Sequence, residues 1–139
     1  MSDSRLSTVR AYWEASERGD WPAAGRCIGP GYTWIDRATG VEARTPEDLI
    51  AAREDASAWS GTQIVINEAF ETDAALIVRA THSADVNGLW RGIEAAGQHI
   101  TYEACTIFKF DAEDRIVFEE KYYDMSAISQ QLLQVPPMT

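Results

Sequence analysis

The feature that most constrains the fold is the second half of the chain, where strand signals follow one another without an intervening helix pattern. β-Branched and aromatic residues dominate four runs, at residues 63–71, 74–86, 98–110 and 115–123. The charged segment 111–115 predicts a hairpin loop between the last two runs. Successive strands joined by short turns pair with one another, so we expect a long antiparallel meander.

Helical patterns dominate the first half of the chain. Val9, Tyr12 and Trp13 fall at the spacing of one helix face, and Gly19 follows them as a stop signal. After the last strand, Asp124 has the chemistry of a helix N-cap. We predict helices at residues 6–18, 20–27, 45–58 and 126–133, and a strand at 32–36 that follows a break at 29–31. Helices followed by a run of strands favour an α+β fold over a parallel α/β sheet.

The length and composition favour one globular domain. The chain has 139 residues, of which 45% are hydrophobic and 24% are charged. This size is typical of a single domain and is large enough to bury a core, while the composition argues against disorder. The sequence shows neither a linker nor an internal repeat. We therefore predict one domain over residues 1–139.

The charge of the chain limits its partners. There are 12 basic and 22 acidic residues, and the net charge of −10 repels phosphate backbones and anionic lipids. No stretch approaches the roughly 20 apolar residues of a membrane span, and the first residues lack an apolar signal core. We expect no nucleic-acid or membrane partner and a cytoplasmic location. Cys27 and Cys105 are isolated, so we predict buried thiols in neither a disulfide nor a metal site.

Short sequences along the chain resemble those of a known superfamily. The segments are 9–21, Trp34-Ile35-Asp36, 88–93, 97–102, 114–117, 121–125 and 130–132. In order and spacing they are similar to the first helix, the Trp-x-Asp strand, the middle hairpin, the last strand and the closing helix of the nuclear-transport-factor-2-like superfamily. Within it, the SnoaL-like polyketide cyclases and the limonene-epoxide-hydrolase-like enzymes are the most similar. The resemblance covers nearly the whole chain and is more specific for the fold than for the function.

The resemblance implies a cystatin-like cone, in which a curved, mostly antiparallel sheet and the N-terminal helices enclose a pocket. It also implies a homodimer and a small hydrophobic ligand or substrate. Enzymes of this kind place acids and bases on inward-facing strand positions. The sequence contains no metal-ligand cluster, phosphate-binding glycine loop or nucleophile elbow. We therefore expect neither a metal nor a cofactor.

Lys121 marks the main departure from the family pattern. The family carries an inward catalytic Asp at the position matched by Lys121, and its catalytic His on the preceding strand is matched by Ile107. A mechanism that uses that Asp cannot be transferred to this chain. Because strand side chains alternate between faces, we expect Glu119 and Tyr123 to point inward together with Lys121.

Further inward candidates lie on the other strands. Asp36 and Trp34 are two residues apart and should share a face. Arg79-Ala80-Thr81 resembles the Arg-x-Asp pair of the epoxide hydrolases, with Thr81 in the place of the Asp, so we expect Arg79 and Thr81 inside. The pocket side of the neighbouring strand is expected to carry Glu103, Cys105 and Ile107.

These residues suit acid–base chemistry. We expect Lys121, Asp36 and Glu119 to transfer protons, and Arg79 to orient them or to stabilise an oxyanion. The residues expected to contact the substrate are Trp34, Glu103, Tyr123 and Thr81. The alternative is a salt-bridged pocket floor, in which Lys121 pairs with Glu119 or Asp36 and does no chemistry.

Three hypotheses of function follow from these residues. The first is a cofactor-free cyclase, isomerase or hydrolase that acts on a small, largely apolar carbonyl or epoxide compound. The second is a non-catalytic protein of the same fold that binds a small molecule or forms a dimer, and the third is a protein-interaction module. We expect His82 and His99 to be structural or exposed. One aromatic face is predicted to form a dimer interface, with Tyr102, Phe108, Phe110, Phe118 and Tyr122.

Overall fold

A computed structural model describes residues 3–55 and 57–134 of the chain. Its elements, in chain order, are α1 (Asp3–Arg18), α2 (Trp21–Arg26), β1 (Ile28–Asp36), β2 (Glu42–Ala43), α3 (Pro46–Asp55), β3 (Trp59–Glu71), β4 (Leu76–Trp90), β5 (Ile93–Phe110), β6 (Ile116–Tyr123) and α4 (Met125–Leu133). The predicted α+β class is confirmed. Of the predicted domain, residues 1–2, 56 and 135–139 lie outside the described residues.

The six strands form one sheet in the order β2-β1-β6-β5-β4-β3. Neighbouring strands are antiparallel except for β1, which runs parallel to β6. Arg91 and Gly92 join β4 to β5 with positive φ angles of 47° and 81°, which suit a type I′ hairpin turn. Shifts in register interrupt the pairing of β1–β6, β3–β4, β4–β5 and β5–β6. Such irregularities bend strands, and the resulting sheet is curved and unclosed.

Helix α1 packs its apolar side against the sheet. Its buried residues include Val9, Tyr12 and Trp13, which fall at the predicted spacing. They form a core cluster with buried side chains of β4 and β5. Gly19 has a φ of 70°, a conformation that glycine adopts without strain, and so it ends the helix where the sequence indicates.

The two short helices are capped by aspartates. Asp20 accepts the N–H of the residue three positions on at 3.2 Å and caps α2. Asp124 accepts the N–H of Ser126 at 2.9 Å and caps α4, as predicted. Helix α4 buries Ile128 and Leu132 in a second core cluster, which covers the other end of the sheet.

Several predicted boundaries are wrong: α1, β3 and β5 begin earlier than predicted, and β4 continues to Trp90. Strand β1 begins at Ile28 and therefore includes the predicted break at 29–31, because its pairing with β6 starts early and then shifts register. Gly29 fits there because a β-carbon would collide with the carboxylate of Asp111. Helix α3 ends at Asp55, three residues before its predicted end.

The strand register assigns each side chain to a face of the sheet. Directly paired residues share a face, so Asp36, Lys121, Thr106 and Val78 form one row across β1, β6, β5 and β4. We call the side that carries this row the inner face; it packs against α1 and α4. The opposite side, which carries Arg79, is the outer face. The candidate site lies on the inner face.

Candidate active site

The inner face and helices α1 to α3 enclose a cavity of about 500 Å³. This volume lies within the range of small-molecule sites. All five tryptophans of the chain line the cavity: Trp13, Trp21, Trp34, Trp59 and Trp90. Their large flat side chains give it an apolar wall. Polar groups of Asp36, Glu119 and Lys121 complete the lining, where the sequence predicts them.

Glu119 is the most deeply buried carboxyl group of the site, with 4% of its surface exposed. Its Oε1 accepts the hydroxyl of Tyr32 at 2.9 Å, and the hydroxyl oxygens of Tyr32 and Tyr12 are 2.8 Å apart. Burial raises the pKa of Glu119 from 4.5 to about 7, against the opposing effects of the Tyr32 hydrogen bond and the positive charge of Lys121. Near neutral pH this group is therefore present both as an acid and as a base.

Tyr12 and Tyr32 form a chain of hydroxyl groups that leads to Glu119. Burial raises the pKa of both phenols, and the negative charge of Glu119 raises them further. Both tyrosines therefore keep their protons and stay hydrogen-bond donors. The amino-acid sequence gives no local signal for this chain of hydroxyl groups, because it joins α1, β1 and β6 across more than 80 residues.

Lys121 lies against two aromatic rings. Its Nζ donates to the hydroxyl of Tyr102 at 2.9 Å, and it lies 5.0 and 4.9 Å from the ring centroids of Tyr102 and Tyr123. Such cation–π contacts stabilise an ammonium group. Neither the Glu119 carboxylate nor the Asp36 carboxylate, both of which the structure describes, has an oxygen within 4.0 Å of Nζ. The alternative of a salt-bridged floor, in which Lys121 pairs with Glu119 or Asp36, is therefore wrong for this structure.

Asp36 lies at the cavity wall and is 7% exposed. Its Oδ1 accepts the N–H groups of Ala38 and Thr39 at 3.0 and 3.1 Å, and its Oδ2 accepts the hydroxyl of Tyr123 at 2.9 Å. Burial, followed by the charge of Asp36, raises the pKa of Tyr123 and keeps it protonated. These bonds fix the turn after β1 and hold Tyr123 in the cavity wall.

His82 lies on the inner face and is 5% exposed. Its ring stacks on Tyr102, with centroids 5.1 Å apart, and meets Trp13 edge-on at 5.9 Å. Burial, with a smaller effect from Lys121, lowers the pKa of His82 to about 2, so the imidazole is neutral. The expectation of a structural or exposed histidine overlooks its contact with the cavity. His82 occupies a position in the alternating apolar set of β4, and this feature of the sequence could have predicted its contact with the cavity.

Three predicted pocket residues lie on the outer face instead. Arg79 donates to Glu68 at 3.0 Å and to Glu103 at 3.4 Å, and Thr81 accepts from Asn67 at 2.8 Å. All of these side chains are outside the cavity. The prediction that Arg79, Thr81 and Glu103 face the pocket is wrong. Each is an odd number of residues from an inner-row residue of its strand, so its side chain points to the opposite face.

The same alternation corrects two further expectations. Cys105 and Ile107 share the outer face, and Thr106 rather than Ile107 is paired with Lys121. The predicted aromatic face is divided between the two sides: Tyr102 and Phe108 are buried on the inner face, whereas Tyr122 is exposed on the outer face. Phe110 packs against the core beside α1.

Three further features concern the described residues: groups that could hold a metal, cysteine thiols and apolar helices. No group of three or more His, Cys, Asp or Glu side chains among them is arranged to hold a metal ion. Cys27 and Cys105 are free thiols in this structure, and both are half-buried, so the prediction that they are buried is wrong. In the same part of the chain, no helix has the length and apolar character needed to cross a membrane.

The chain is a small α+β protein with a nuclear-transport-factor-2-like fold and a lined cavity. The model of the SnoaL-like polyketide cyclase family matches residues 7–132. The chain therefore belongs to the SnoaL-like polyketide cyclase family, and the resemblance seen in the sequence is confirmed. Comparison with curated proteins gives no match.

Solved structures share the fold at low sequence identity. TsrD from Streptomyces laurentii superposes with a TM-score of 0.78 at 20% identity, covering 97% of this chain and 98% of that one. An LEH-like epoxide hydrolase from M. tuberculosis gives 0.72 at 15% identity, covering 95% and 91%. A protein with a ketosteroid isomerase-like fold from Catenulispora acidiphila gives 0.70 at 21% identity, covering 90% and 91%. These similarities support the fold.

Proposed function

We propose that this chain is an enzyme that uses its own side chains for acid–base chemistry on a small, largely apolar carbonyl or epoxide compound. The observation that carries the proposal is the buried Glu119 carboxyl, which lines the cavity, has a pKa of about 7 and lies near Lys121. A group with a pKa near the working pH exchanges protons most effectively. Strongly shifted pKa values in a cleft are typical of functional sites.

The polar groups suit proton transfer at a carbon next to a carbonyl. The Glu119 carboxylate would take the proton, and the electron pair of the broken C–H bond would move onto the carbonyl oxygen. The Lys121 ammonium and the Tyr102 hydroxyl would stabilise that negative charge. If a neighbouring double bond extends the enolate to a dienolate, Glu119 would return the proton to the far carbon, which gives an isomer. Alternatively the enolate carbon would attack a second carbonyl of the substrate and close a ring, and Glu119 would give its proton to the alkoxide that forms. With an epoxide, protonated Glu119 would instead donate its proton to the ring oxygen as a water molecule attacks the carbon and the C–O bond breaks, and the proton lost by the water would restore the Glu119 acid.

Asp36 and Trp34 have supporting roles in this proposal. Asp36 holds Tyr123 in the wall through a 2.9 Å hydrogen bond, so we assign it a positioning role. Trp34 offers an apolar surface to the substrate. Arg79, Thr81 and Glu103 receive no role in the chemistry, because they lie outside the cavity.

A non-catalytic binding protein is the second candidate. It is favoured by the internal pairing of the two carboxyl groups, since Asp36 and Glu119 both accept hydrogen bonds from tyrosines. The two candidates differ in turnover: both bind a small molecule, but the enzyme alone converts it.

A thermal-shift screen followed by product analysis tests the proposal. Wild type, Lys121→Met and Lys109→Met are screened against small ketones, epoxides and steroid-like compounds. Lys109 is the matched control, because it is the other lysine of the chain and is exposed on β5. Ligand at about 100 times its dissociation constant adds about 2.7 kcal/mol of stability. We expect a hit that wild type and Lys109→Met convert to product and Lys121→Met does not. Binding without conversion would support the second candidate, and no hit would contradict both.

We also propose that the chain forms a homodimer through the outer face. Val65, Phe70 and Tyr122 are exposed there, and the register places all three on the side of Arg79. Exposed large apolar groups on one face are typical of an interface. Light scattering should give twice the mass of one chain, and Tyr122→Glu should lower it; a monomer in the wild type would contradict this proposal.

A further inference from the structure

Two buried ring nitrogens of the cavity lack hydrogen-bond partners. They are Nε2 of His82 and Nε1 of Trp59, and neither has a partner within the part of the chain that the structure describes. Both residues line the cavity. Buried polar side-chain atoms in proteins are nearly always paired, so two unpaired ones on residues that line a cavity indicate a partner that the chain itself does not supply.

Both rings contact the same phenol. His82 is paired with Tyr102 across β4 and β5, and its ring stacks on that of Tyr102 at an interplanar angle of 16°. Trp59 meets Tyr102 edge-on, with centroids 6.2 Å apart. The hydroxyl of Tyr102 accepts a hydrogen bond from Lys121, so that bond does not use its hydrogen. The two rings therefore contact the ring of Tyr102, whose hydroxyl takes part in the proposed chemistry.

The chemistry of the two nitrogens defines what they can bind. An indole N–H is a donor only, and a neutral imidazole donates from one of its two nitrogens. His82 is held neutral by its burial and by the nearby ammonium of Lys121. With its hydrogen on Nε2, His82 and Trp59 are both donors. Two donors suit an oxygen acceptor such as a carbonyl, and they do not suit an ammonium group.

We propose that His82 and Trp59 form an oxygen-binding subsite of the cavity, in which their ring N–H groups donate to a carbonyl oxygen of the substrate. The inference rests on the proposed function, since it specifies how the site recognises a carbonyl compound. It makes His82 a specificity-determining residue that distinguishes a ketone from a hydrocarbon of the same shape. The Trp13 and Tyr102 rings contact His82 and so restrict the orientation of its ring.

A pair of matched probes tests the subsite. 2-Acetylnaphthalene carries a ketone, and 2-isopropenylnaphthalene has nearly the same shape with a methylene group in place of the oxygen. Dissociation constants are measured by tryptophan fluorescence for wild type, His82→Phe, His82→Gln and Trp59→Phe. His82→Phe keeps a flat ring against Tyr102 and removes both nitrogens, whereas His82→Gln keeps a donor. His99→Phe is the control, because His99 is exposed on β5 and bonds to Asp85.

The subsite predicts a change in the ketone affinity alone. We expect wild type to bind the ketone about tenfold more tightly than the hydrocarbon, because one good hydrogen bond changes an affinity by about that factor. His82→Phe and Trp59→Phe should lose most of this preference, His82→Gln should regain part of it, and His99→Phe should keep all of it. A preference that survives in His82→Phe would overturn the subsite. If neither probe binds wild type, the proposed function itself is contradicted.

A measurement on wild type alone covers the case in which His82→Phe does not fold. In protein labelled with ¹⁵N-histidine, the Nε2 resonance of His82 should shift when the ketone is added and should stay in place when the hydrocarbon is added. Equal shifts with both probes, or no shift with the ketone while it binds, would overturn the subsite and leave the proposed function standing.

Discussion

Replacing Glu119 with Gln tests the protonation of the buried carboxyl. Gln has nearly the same shape, and its amide oxygen can still accept the hydroxyl of Tyr32, but it does not ionise. In wild type, burial raises the pKa of Glu119 from 4.5 to about 7. The folded protein therefore holds this proton more tightly than the unfolded chain does.

The sign and size of the effect follow from this difference. Between pH 4.5 and about 7, the folded state binds more protons than the unfolded state, so stability falls as the pH rises. At about 1.4 kcal/mol for each unit of pKa, the raised pKa corresponds to about 3 kcal/mol. This contribution to the free energy of unfolding is fully present below pH 4.5 and is lost as the pH rises through about 7.

Urea unfolding followed by tryptophan fluorescence measures this loss. Wild type, Glu119→Gln and the exposed control Glu103→Gln are compared at a series of pH values from about 5 to about 8.5. The free energy of unfolding of wild type, relative to that of Glu119→Gln, should fall by about 3 kcal/mol as the pH rises over that range. The difference for Glu103→Gln should stay nearly constant. A constant difference for Glu119→Gln as well would refute the raised pKa.

Four further outcomes are expected. Tyr32→Phe should cost about 2 kcal/mol at high pH, where its partner Glu119 is charged, and about 1 kcal/mol at low pH; equal urea-unfolding losses at both would contradict this. Asp36→Ala should cost about 2 kcal/mol by the same assay, since a buried hydroxyl loses its acceptor; an unchanged stability would be evidence against its positioning role. Arg79→Ala should leave ligand-induced thermal shifts unchanged, and their loss would place it in the site. The proton resonances of His82 should not titrate between about pH 5 and about pH 8, and a midpoint in that range would contradict a neutral ring.

The order of the elements and the inner set of the last strand are predictable from sequence. Strand and helix signals are local, so the meander and the Asp124 cap appear where the residues indicate them. The alternation of β6 places Glu119, Lys121 and Tyr123 together, and the structure brings all three to the cavity with Asp36. These residues are fixed by a period of two along one strand.

The prediction for the faces of β4 and β5 is wrong, although the alternation within β4 indicates the correct faces. In β4 the residues Val78, Ala80 and Ala84 alternate with polar ones, and this pattern predicts that the polar set, which includes Arg79, faces outward. The prediction followed the resemblance to an Arg-x-Asp pair instead. A one-residue error of this kind moves every side chain of a strand to the other face.

Two contacts of the site cannot be predicted from the sequence: the hydrogen-bonded chain that ends at Glu119, and the stacked rings of His82 and Tyr102. The chain from Tyr12 through Tyr32 to Glu119 joins three elements, and the stack of His82 on Tyr102 depends on the β4–β5 register. Neither has a local pattern. The raised pKa of Glu119 likewise depends on how deeply the fold buries it, which spacing along one strand does not reveal.

The exchange of ketone protons for deuterium tests the central claim most directly. 2-Acetylnaphthalene is incubated in D₂O near neutral pH, and NMR follows the loss of its acetyl protons. We predict that wild type accelerates this loss, that Glu119→Gln and Lys121→Met each reduce the acceleration by about a hundredfold, and that Glu103→Gln and Lys109→Met retain it. Exchange at the rate of buffer alone, or exchange that survives in Glu119→Gln, would contradict an enzyme that acts through this carboxyl.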